Sequence, residues 1–500
     1  MNKFDFTSLS GTWKFRACMA VAVLAVLCQL YYCFSYSIWY DESYSLQIIR
    51  FGYTQVVYIT SIDVHPPLYY LILKLFVDGV HLLLPNVQAI FLGKMVSVIP
   101  FIILIAVCAT KVRRQWGNYV AGVGAVCLAC LRIEYGVEIR MYSFGLLFVT
   151  LTFLWLWDVL SRWDVRAWSG FVIFSLCAAY THYFALLAVS GLWLALLIYV
   201  CVNSRSHLKA WGIAAAITIV GYLPWVPAIV ARYVKVSNKG FWIEPLTLES
   251  FCNLVGFVIN DNICQIVSLI LMSLMLTNHK KSTLQAEGAS FYALAGMLLP
   301  FYVLLVGVIV SLCFQPCLIT RYLVPVVGCL WLGQLLAARA ASHNFRQLVA
   351  CMLLVISVGA VVAFIRSEGT ILKESNRTMQ LLSSDEDGVY IADATSSSLS
   401  DGITTLGTMT DKPCFVWKKL FGADLYAPTT IIENLDAVRS IDDIIYLLSS
   451  GKHVYYISDR DMQEEEIIQS GQFAYKDLGL YKLGLYSANI YSITLADKDD

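Results

Sequence analysis

Residues 17–44 read ACMAVAVLAVLCQLYYCFSYSIWYDESY, an apolar run that ends at two adjacent acidic residues. A helix needs roughly 20 apolar residues to cross the hydrocarbon core of a bilayer. The run from Ala17 to Trp39 is longer than the apolar part of a secretory signal, and no small-residue cleavage site follows it. We therefore predict that it forms a first transmembrane helix, with Asp41 and Glu42 directly beyond its end.

The composition predicts that most of the chain is solvated by lipid. Of its 500 residues 58% are hydrophobic and 14% charged, and the mean hydropathy is +0.67; soluble domains have about 25% charged residues. The net charge of zero argues against nucleic acid as a partner, because no basic excess is present to neutralise phosphates. Most of the 15 cysteines lie inside apolar runs, where cysteine behaves as a small hydrophobe, so they do not predict a disulfide framework.

Eleven apolar stretches have the length of a membrane span. They are 17–38, 88–110, 118–133, 141–160, 168–182, 184–202, 209–230, 262–278, 289–313, 318–338 and 346–365. A twelfth stretch, 67–84, is interrupted by Lys74, Asp78 and Gly79.

The distribution of basic residues decides how the twelfth stretch is interpreted. If 67–84 lies along the membrane surface, the basic clusters between spans fall on one side, which the positive-inside rule identifies as the cytoplasm. These clusters are Lys3, Lys14 and Arg16; Lys111, Arg113 and Arg114; Arg162 and Arg166; Arg205 and Lys209; Lys280 and Lys281; and Arg339 and Arg346. We therefore predict a cytoplasmic N-terminus and a juxtamembrane helix inside a first outer loop, 39–87.

The last part of the chain is polar and differs in kind from the spans. Strand-like runs at Val389–Ala392, Cys414–Trp417 and Val454–Ser458 alternate with helix-like stretches such as Ile441–Ser449. The predicted fold is therefore an all-α polytopic membrane domain, 1–366, of about eleven transmembrane helices plus the juxtamembrane helix. A small C-terminal α/β domain, 367–500, follows outside the membrane.

The first outer loop pairs two polar motifs. Asp41-Glu42 is followed by His65-Pro-Pro-Leu-Tyr-Tyr70, in which two prolines fix an extended bend before an apolar, tyrosine-rich segment. Charges normally flank membrane spans, so a solvated helix end is one interpretation of the acidic pair. The ordered succession of both motifs after a single N-terminal span is more specific than either alone.

This arrangement resembles the GT-C class of polyprenyl-phosphate-sugar-dependent glycosyltransferases, in particular the branch with the protein O-mannosyltransferases and the bacterial aminoarabinose transferases. The resemblance covers 17–366, and an outer C-terminal domain is a common appendage in this class. It implies an enzyme of the inner membrane that moves a sugar from a polyprenyl-phosphate donor to an acceptor hydroxyl at the periplasmic face, with inversion. By this resemblance Asp41 is the general base, and Glu42 orients the acceptor or supports Asp41.

A second polar cluster follows the third span, at Arg132-Ile-Glu134-Tyr-Gly-Val-Glu138-Ile-Arg140-Met-Tyr142. On a helix, Glu134 would lie one turn from Glu138, and Glu138 one turn from Tyr142. An interfacial salt-bridge network and a substrate site explain this pattern about equally well. The resemblance favours the site and implies that Glu138, Arg140 and Tyr142 line it.

Five further residues are candidates for binding the phosphate or the sugar. His182, in Thr181-His-Tyr, is either a structural hydrogen-bonding group or a ligand of the substrate. Arg321, followed by Tyr322, is either an arginine that reaches to the interface or a bidentate clamp for phosphate. The resemblance makes the two roles of His182 about equal, favours binding for Arg321 and adds His65. Lys94 is a weaker candidate because it also lies near the outer end of its helix.

The sequence does not indicate a metal or an organic cofactor. A divalent ion held by Asp41 and Glu42 stays an alternative, although no further ligand set accompanies them. The expected partners are membrane lipid, the polyprenyl-linked sugar and an acceptor, which is a glycolipid, a glycan or a protein. A transporter or flippase of lipid-linked saccharides and a glycan polymerase or ligase are the alternative functions.

Overall fold

The structure is a computed structural model. It describes residues 6–63, 65–239, 243–278, 288–339, 341–393, 397–410, 412–417, 437–438, 440–484 and 486–496. It consists of a long helical bundle followed by a small sheet domain, which is the predicted fold.

The α-helices are numbered in chain order. They are α1 (Phe6–Tyr32), α2 (Tyr40–Ile48), α3 (Tyr53–Ile62), α4 (Leu68–His81), α5 (Ala89–Val107), α6 (Arg113–Cys130), α7 (Tyr142–Arg162), α8 (Val165–Ala179), α9 (Tyr183–Asn203), α10 (Leu208–Tyr222), α11 (Val226–Lys239), α12 (Leu248–Val258), α13 (Ile263–Asn278), α14 (Ala289–Cys313), α15 (Val324–Arg339), α16 (His343–Ser384), α17 (Ser397–Met409), α18 (Ile441–Ser449) and α19 (Glu466–Gln469). A π-helical turn, Cys108–Val112, links α5 to α6.

Eight helices in the described part are long and apolar enough to cross a membrane. One of them, Ala89–Cys130, has 42 residues, and the positive φ of Gly117 (82°) breaks it near its middle. In addition, the pair Leu248–Val258 and Ile263–Leu274 is bent by 69°, and Val165–Ala179 is a shorter apolar helix. Counted together, these passages agree with the predicted number of spans.

The first outer loop folds into three short helices, α2, α3 and α4. The segment 67–84, predicted to lie on the surface, forms the 14-residue helix α4, whose length of roughly 21 Å is too short to cross a bilayer. Pro67 precedes the first residue of α4, where its missing N–H costs nothing. The loop therefore lies at one end of the bundle and presents Asp41 and His65 there.

Two helices form the centre of the bundle. In α7 and α15, 89% and 94% of the span is buried inside the protein, so both are surrounded by other helices. Tyr142 begins α7, and the 3₁₀ turn Thr320–Leu323 leads directly into α15. The two central helices therefore place their first residues at the same end of the bundle.

The opposite end of α7 carries a separate ion network. Asp158 is buried and pairs with Lys111, and it also lies 3.4 Å from Arg162. Both basic residues belong to clusters that the sequence predicts on the cytoplasmic side. Because α7 has 21 residues, they lie roughly 30 Å from the end of the bundle that holds Tyr142.

The C-terminal domain is a mixed six-stranded sheet. Its strands are β1 (Gly388–Asp393), β2 (Cys414–Trp417), β3 (Ala437–Val438), β4 (His453–Ser458), β5 (Phe473–Leu483) and β6 (Tyr486–Leu495). Their order is β3-β2-β1-β4-β6-β5, with β1 parallel to β2 and β4 and with β6 antiparallel to β4 and β5. The predicted strands and the predicted helix Ile441–Ser449 are present, whereas the hairpin β5–β6 was not predicted.

One helix joins the membrane domain to the sheet domain. The predicted last span, 346–365, is part of α16, which continues without a break to Ser384 and has 42 residues. Thr378 near its end donates its hydroxyl to the carbonyl of Lys482 on β5 (2.8 Å). The proposed boundary between residues 366 and 367 thus falls inside a continuous helix and stays a prediction.

The turn after β5 touches the backbone that leads to Asp41. Gly484 has a φ of +69°, and a Cβ atom at this position would lie 2.0 Å from the carbonyl oxygen of Ile38. Only glycine satisfies both the left-handed backbone and this close approach. The sheet domain is therefore docked on the segment just before the first outer loop.

We expect Gly484→Ala to weaken this docking. Gly451 also has a positive φ (+82°), but a Cβ atom added there would meet nothing within 4 Å. Gly451→Ala therefore serves as the matched control and should cost about 1 to 2 kcal/mol through backbone strain alone. Gly484→Ala should lower the melting temperature more and should speed proteolytic release of the sheet domain. Equal behaviour of the two variants would contradict the contact with Ile38.

Candidate active site

Asp41 lies in the first turn of α2 and is the carboxylate around which the polar residues gather. Its side chain is 24% exposed, and its Oδ2 atom lies 3.6 Å from Nη2 of Arg140 and 3.5 Å from Nη2 of Arg321. The three residues come from segments far apart in the sequence. The structure therefore brings together one accessible carboxylate and two guanidinium groups, as expected for a site that handles charge.

Arg140 is fixed more firmly than Arg321. It is 3% exposed, and its Nη1 donates to the carbonyl oxygen of Asp41 (3.0 Å), to Ser45 (3.2 Å) and to the hydroxyl of Tyr70 (3.4 Å). Arg321 instead lies over the ring of Trp39, 4.8 Å from its centre, and keeps a quarter of its side chain exposed. Arg321 is thus the guanidinium that a ligand reaches more easily.

Glu42 accepts hydrogen bonds from backbone N–H groups of two separate segments. Its Oε2 accepts the backbone N–H of Trp39 (3.0 Å), and its Oε1 accepts the backbone N–H of Ile139 (2.7 Å). The side chain is 4% exposed, so both oxygens are used by the protein. Whether Glu42 supports Asp41 or orients the acceptor stays a prediction.

His65 and His182 stack on each other beside Tyr322. Their ring centres are 5.3 Å apart, and the ring of His182 lies 4.9 Å from that of Tyr322 and 5.7 Å from that of Tyr142. Both histidines are buried. The structure therefore gathers four of the predicted binding residues into one aromatic wall.

The two histidines are neutral in this environment. Burial and the positive charges of Arg140 and Arg321 lower the pKa of His182 to about 3 and that of His65 well below its usual value. Nδ1 of His182 accepts the N–H of Phe184 (3.1 Å) and so caps α9, which leaves the proton on Nε2. The structural role predicted for this histidine is thus present, together with a second ring nitrogen that can donate.

The spacing of the acidic residues in 131–141 was interpreted as that of an α-helix, but this segment does not form one. A 3₁₀ turn, Ile133–Gly136, is followed by irregular backbone. Glu134 is consequently exposed, whereas Glu138 is half-buried close to the charges of Glu42 and Asp41. Only Glu138 of the two acids belongs to the site.

Glu138 holds its proton more tightly than an ordinary carboxyl group. Burial, followed by the negative charge of Glu42, raises the pKa of Glu138 to about 8, although Arg321 and Arg140 act in the opposite direction. Burial also raises the pKa of Glu42. The positive charge of Lys94 and the two backbone N–H groups act in the opposite direction, because they favour the ionised form. The site thus contains two acids whose pKa values are both raised by burial.

Lys94 lies on α5 and faces a different group of residues. Its ammonium donates to the carbonyl oxygen of Ser37 (2.8 Å), and it is 2% exposed. The nearest carboxylates acting on it are those of Glu42 and Glu368. Lys94 therefore holds the chain just before Trp39, and its role towards phosphate stays a prediction.

Three contributors to the site were not among the predicted residues. Trp39 supports Arg321, and Ser45 and Tyr70 orient Arg140. Ser45 follows Asp41 by four residues, a spacing that places both on one helix face and that could have identified it. No pattern in the sequence signals the contact of Trp39 with Arg321, because the two residues lie at opposite ends of the membrane domain's sequence.

The charge of Asp41 is balanced by arginine within the protein. Its carboxylate faces two guanidinium groups, and that of Glu42 faces backbone N–H groups. Among the residues that the structure describes, no group of three or more His, Cys, Asp and Glu side chains is arranged to hold a metal ion. A divalent ion on Asp41 and Glu42 would therefore have to displace these contacts.

The protonation of Glu138 predicts a pH dependence. Because its pKa in the folded protein lies above the ordinary value of 4.5, the folded state holds a proton that the unfolded chain has lost. The stability that this proton contributes is complete at acid pH and is lost as the pH rises through about 8. We expect the melting temperature to fall as the pH rises from about 4.5 to about 8. Glu138→Gln should make this fall smaller because its amide does not ionise, while Glu42, whose pKa is raised to about 7, still titrates.

Two variants test whether Glu138 causes this pH dependence of the melting temperature. An unchanged pH profile in Glu138→Gln would show that another group is responsible. Glu249→Gln, which replaces an exposed acid at the start of α12, is the control and should keep the profile of the unmodified protein.

The arrangement of a polar site at one end of a helical bundle, with juxtamembrane helices and an appended sheet domain, defines the class of fold. The fold is ArnT-like, in agreement with the resemblance noted in the sequence.

Two solved structures that the chain resembles are of ArnT from Cupriavidus metallidurans. The apo form matches with a TM-score of 0.57 and 12% identity, over 97% of this chain and 98% of that one. The form bound to undecaprenyl phosphate matches with a TM-score of 0.56 and 11% identity, over 95% and 97%. No protein-family model and no curated protein sequence matches this chain, so the likeness is one of fold.

Proposed function

We propose that this protein is a membrane glycosyltransferase that moves a sugar from a polyprenyl-phosphate donor to an acceptor hydroxyl. The observation that carries the proposal is the accessible carboxylate of Asp41 held against Arg140 and Arg321 at the end of the bundle. A transfer of this kind needs a base for the acceptor and a cation for the departing phosphate. Both are present side by side in this cluster.

The reaction follows from these two charges. The acceptor O–H gives its proton to Asp41 while its oxygen forms a bond to the anomeric carbon of the sugar. The bond from that carbon to the phosphate oxygen breaks, and its electron pair leaves with the polyprenyl phosphate. The positive charge of Arg321 stabilises the negative charge of this leaving group. Attack from the side opposite to the phosphate inverts the configuration of the anomeric carbon.

The aromatic wall supports binding of the sugar. His65, His182 and Tyr322 lie together as neutral rings near the charged group, and the N–H on Nε2 of His182 is the polar donor that they contribute. Apolar ring faces with a few polar donors are typical of small-ligand sites. The wall and the arginines thus suit a ligand with a sugar next to a phosphate, which the proposed donor has.

The direct test is sugar transfer by the purified protein. A polyprenyl-phosphate sugar with a radioactive sugar is supplied together with membrane lipid, glycan and protein fractions, and free polyprenyl phosphate should be released in step with labelled acceptor. Movement of the labelled lipid across liposomes without transfer would instead favour a transporter or flippase. A ladder of products that grows by repeated units would favour a polymerase or ligase.

The proposed location of the site is the periplasmic face of the inner membrane, with the N-terminus in the cytoplasm. The basic clusters and the position of Asp41 at the end of the bundle away from Lys111 support this orientation. Alkaline phosphatase, which is active only outside the cytoplasm, should be active when fused to the C-terminus. Inactivity of that fusion, with activity of one placed after Arg162, would reverse the orientation.

A further inference from the structure

A second cavity lies between the first outer loop and the sheet domain, and the site described above does not use it. It has a volume of about 900 Å³ and is enclosed by α2, α4, α17 and the start of β2. Gln47 on α2 donates to Thr408 on α17 (3.1 Å) across it. We call this cavity the interdomain groove.

The interdomain groove carries an excess of positive charge. Among its described lining residues, Arg50, Lys74 and Lys412 are cationic, and Asp78 is the acidic one. Asp78 is paired with Lys74 at 3.0 Å. Within this described lining, the charges of Arg50 and Lys412 therefore have no carboxylate partner.

The contacts of the two remaining cations orient them without neutralising them. Arg50 donates through Nη1 to the amide oxygen of Gln47 (3.0 Å), and Lys412 donates to the carbonyl oxygen of Glu386 (2.8 Å). Both acceptors are neutral, so the two positive charges persist. Arginine has five N–H donors and lysine three, so each keeps donors for an anion.

One rim of the interdomain groove is strongly apolar. His81 and Pro85 line the groove, and the three leucines between them are turned to the outside. Leu82, Leu83 and Leu84 have exposed fractions of 85%, 83% and 58%. In a membrane protein, such a run at the end of a juxtamembrane helix enters the lipid, because burial of apolar side chains in the bilayer is favourable.

We propose that the interdomain groove binds the phosphate headgroup of an anionic phospholipid from the leaflet that Leu82–Leu84 enter. The lipid tails lie beside the leucines, and the phosphate lies between Arg50 and Lys412. Because Arg50 follows α2 and Lys412 precedes β2, the bound headgroup ties the first outer loop to the sheet domain. This binding is separate from sugar transfer and does not depend on the proposed function.

Lipid retention by the full-length protein tests this proposal. The protein is reconstituted in phosphatidylcholine nanodiscs that contain a few per cent of phosphatidylglycerol, and the lipids that stay bound are counted by native mass spectrometry. The unmodified protein should retain phosphatidylglycerol in preference to phosphatidylcholine. The double variant Arg50→Gln/Lys412→Gln should bind it at least about tenfold more weakly, since each basic residue near anionic lipid contributes to binding.

The matched control removes two cations elsewhere in the outer part of the protein. Arg377, which lies over the ring of Tyr481, and Lys452, which pairs with Asp387, are outside the groove. Arg377→Gln/Lys452→Gln changes the net charge by the same amount and should keep the lipid. Equal loss in both double variants, or in neither, would overturn the proposal.

A second measurement does not depend on any variant folding. A phosphatidylglycerol analogue with a photoreactive headgroup should label the peptide that contains residues 404–410 in the unmodified protein. Labelling confined to the membrane spans would overturn the proposal. Competition by inorganic phosphate as strong as that by phosphatidylglycerol would also overturn it, because it would identify a free anion as the ligand.

Discussion

Asp41→Asn is expected to lower the turnover number of sugar transfer by about a hundredfold to ten-thousandfold, the usual contribution of a general base. The amide has the shape of the carboxylate but does not take the proton of the acceptor. The fold should survive, because Arg140 keeps its bonds to the backbone carbonyl of Asp41, to Ser45 and to Tyr70. Turnover and donor affinity are measured separately with the purified protein.

The two measurements distinguish a base from a binding residue. The KM for the donor should stay constant or fall in Asp41→Asn, because the carboxylate no longer competes with the phosphate for Arg321. Asp387→Asn, which changes an exposed acid of the sheet domain, is the control and should leave both values unchanged. Undiminished transfer by well-folded Asp41→Asn protein would exclude Asp41 as the base.

Arg321→Gln is expected to reduce turnover by about a hundredfold to a thousandfold, as does the loss of one group that stabilises developing negative charge. The guanidinium is partly exposed next to Asp41, in the position from which it can receive the charge of the leaving phosphate. Arg321→Lys should restore only part of the rate, since lysine is a point charge and does not bind phosphate through two parallel hydrogen bonds.

The control for Arg321 is an arginine in a similar setting. Arg377 lies over the ring of Tyr481 at 4.5 Å, much as Arg321 lies over that of Trp39, but it belongs to the outer half of α16. Arg377→Gln should transfer sugar at the normal rate. Normal transfer by Arg321→Gln would mean that Arg321 only anchors the helix end at the interface.

The membrane domain was predictable because its spans are defined by local hydropathy and charge. The span 289–313 coincides with α14, and the juxtamembrane helix follows from the count of basic clusters. The strands of the sheet domain were predicted where they are short and apolar. The hairpin β5–β6 was missed because its side chains alternate irregularly between buried and exposed.

The sequence pointed to several polar residues that the structure brings together, but not to their geometry. Asp41, Arg140 and Arg321 lie together because three loops meet at the ends of packed helices, which no local pattern encodes. The spacing of Glu134 and Glu138 suggested a helix, whereas the chain forms a 3₁₀ turn and irregular backbone there. One of the two backbone hydrogen bonds of Glu42 comes from Ile139, 97 residues away, and is likewise a product of tertiary packing.

The unbroken helix α16 links the membrane domain, through the sheet domain, to the backbone next to Asp41. It is held to β5 by Thr378, and the turn after β5 rests on Ile38, three residues before Asp41. A helix that spans a bilayer adjusts its tilt to the thickness of the hydrocarbon layer. We therefore expect a change in the tilt of α16, a helix of 42 residues, to reach the backbone next to Asp41 through these two contacts.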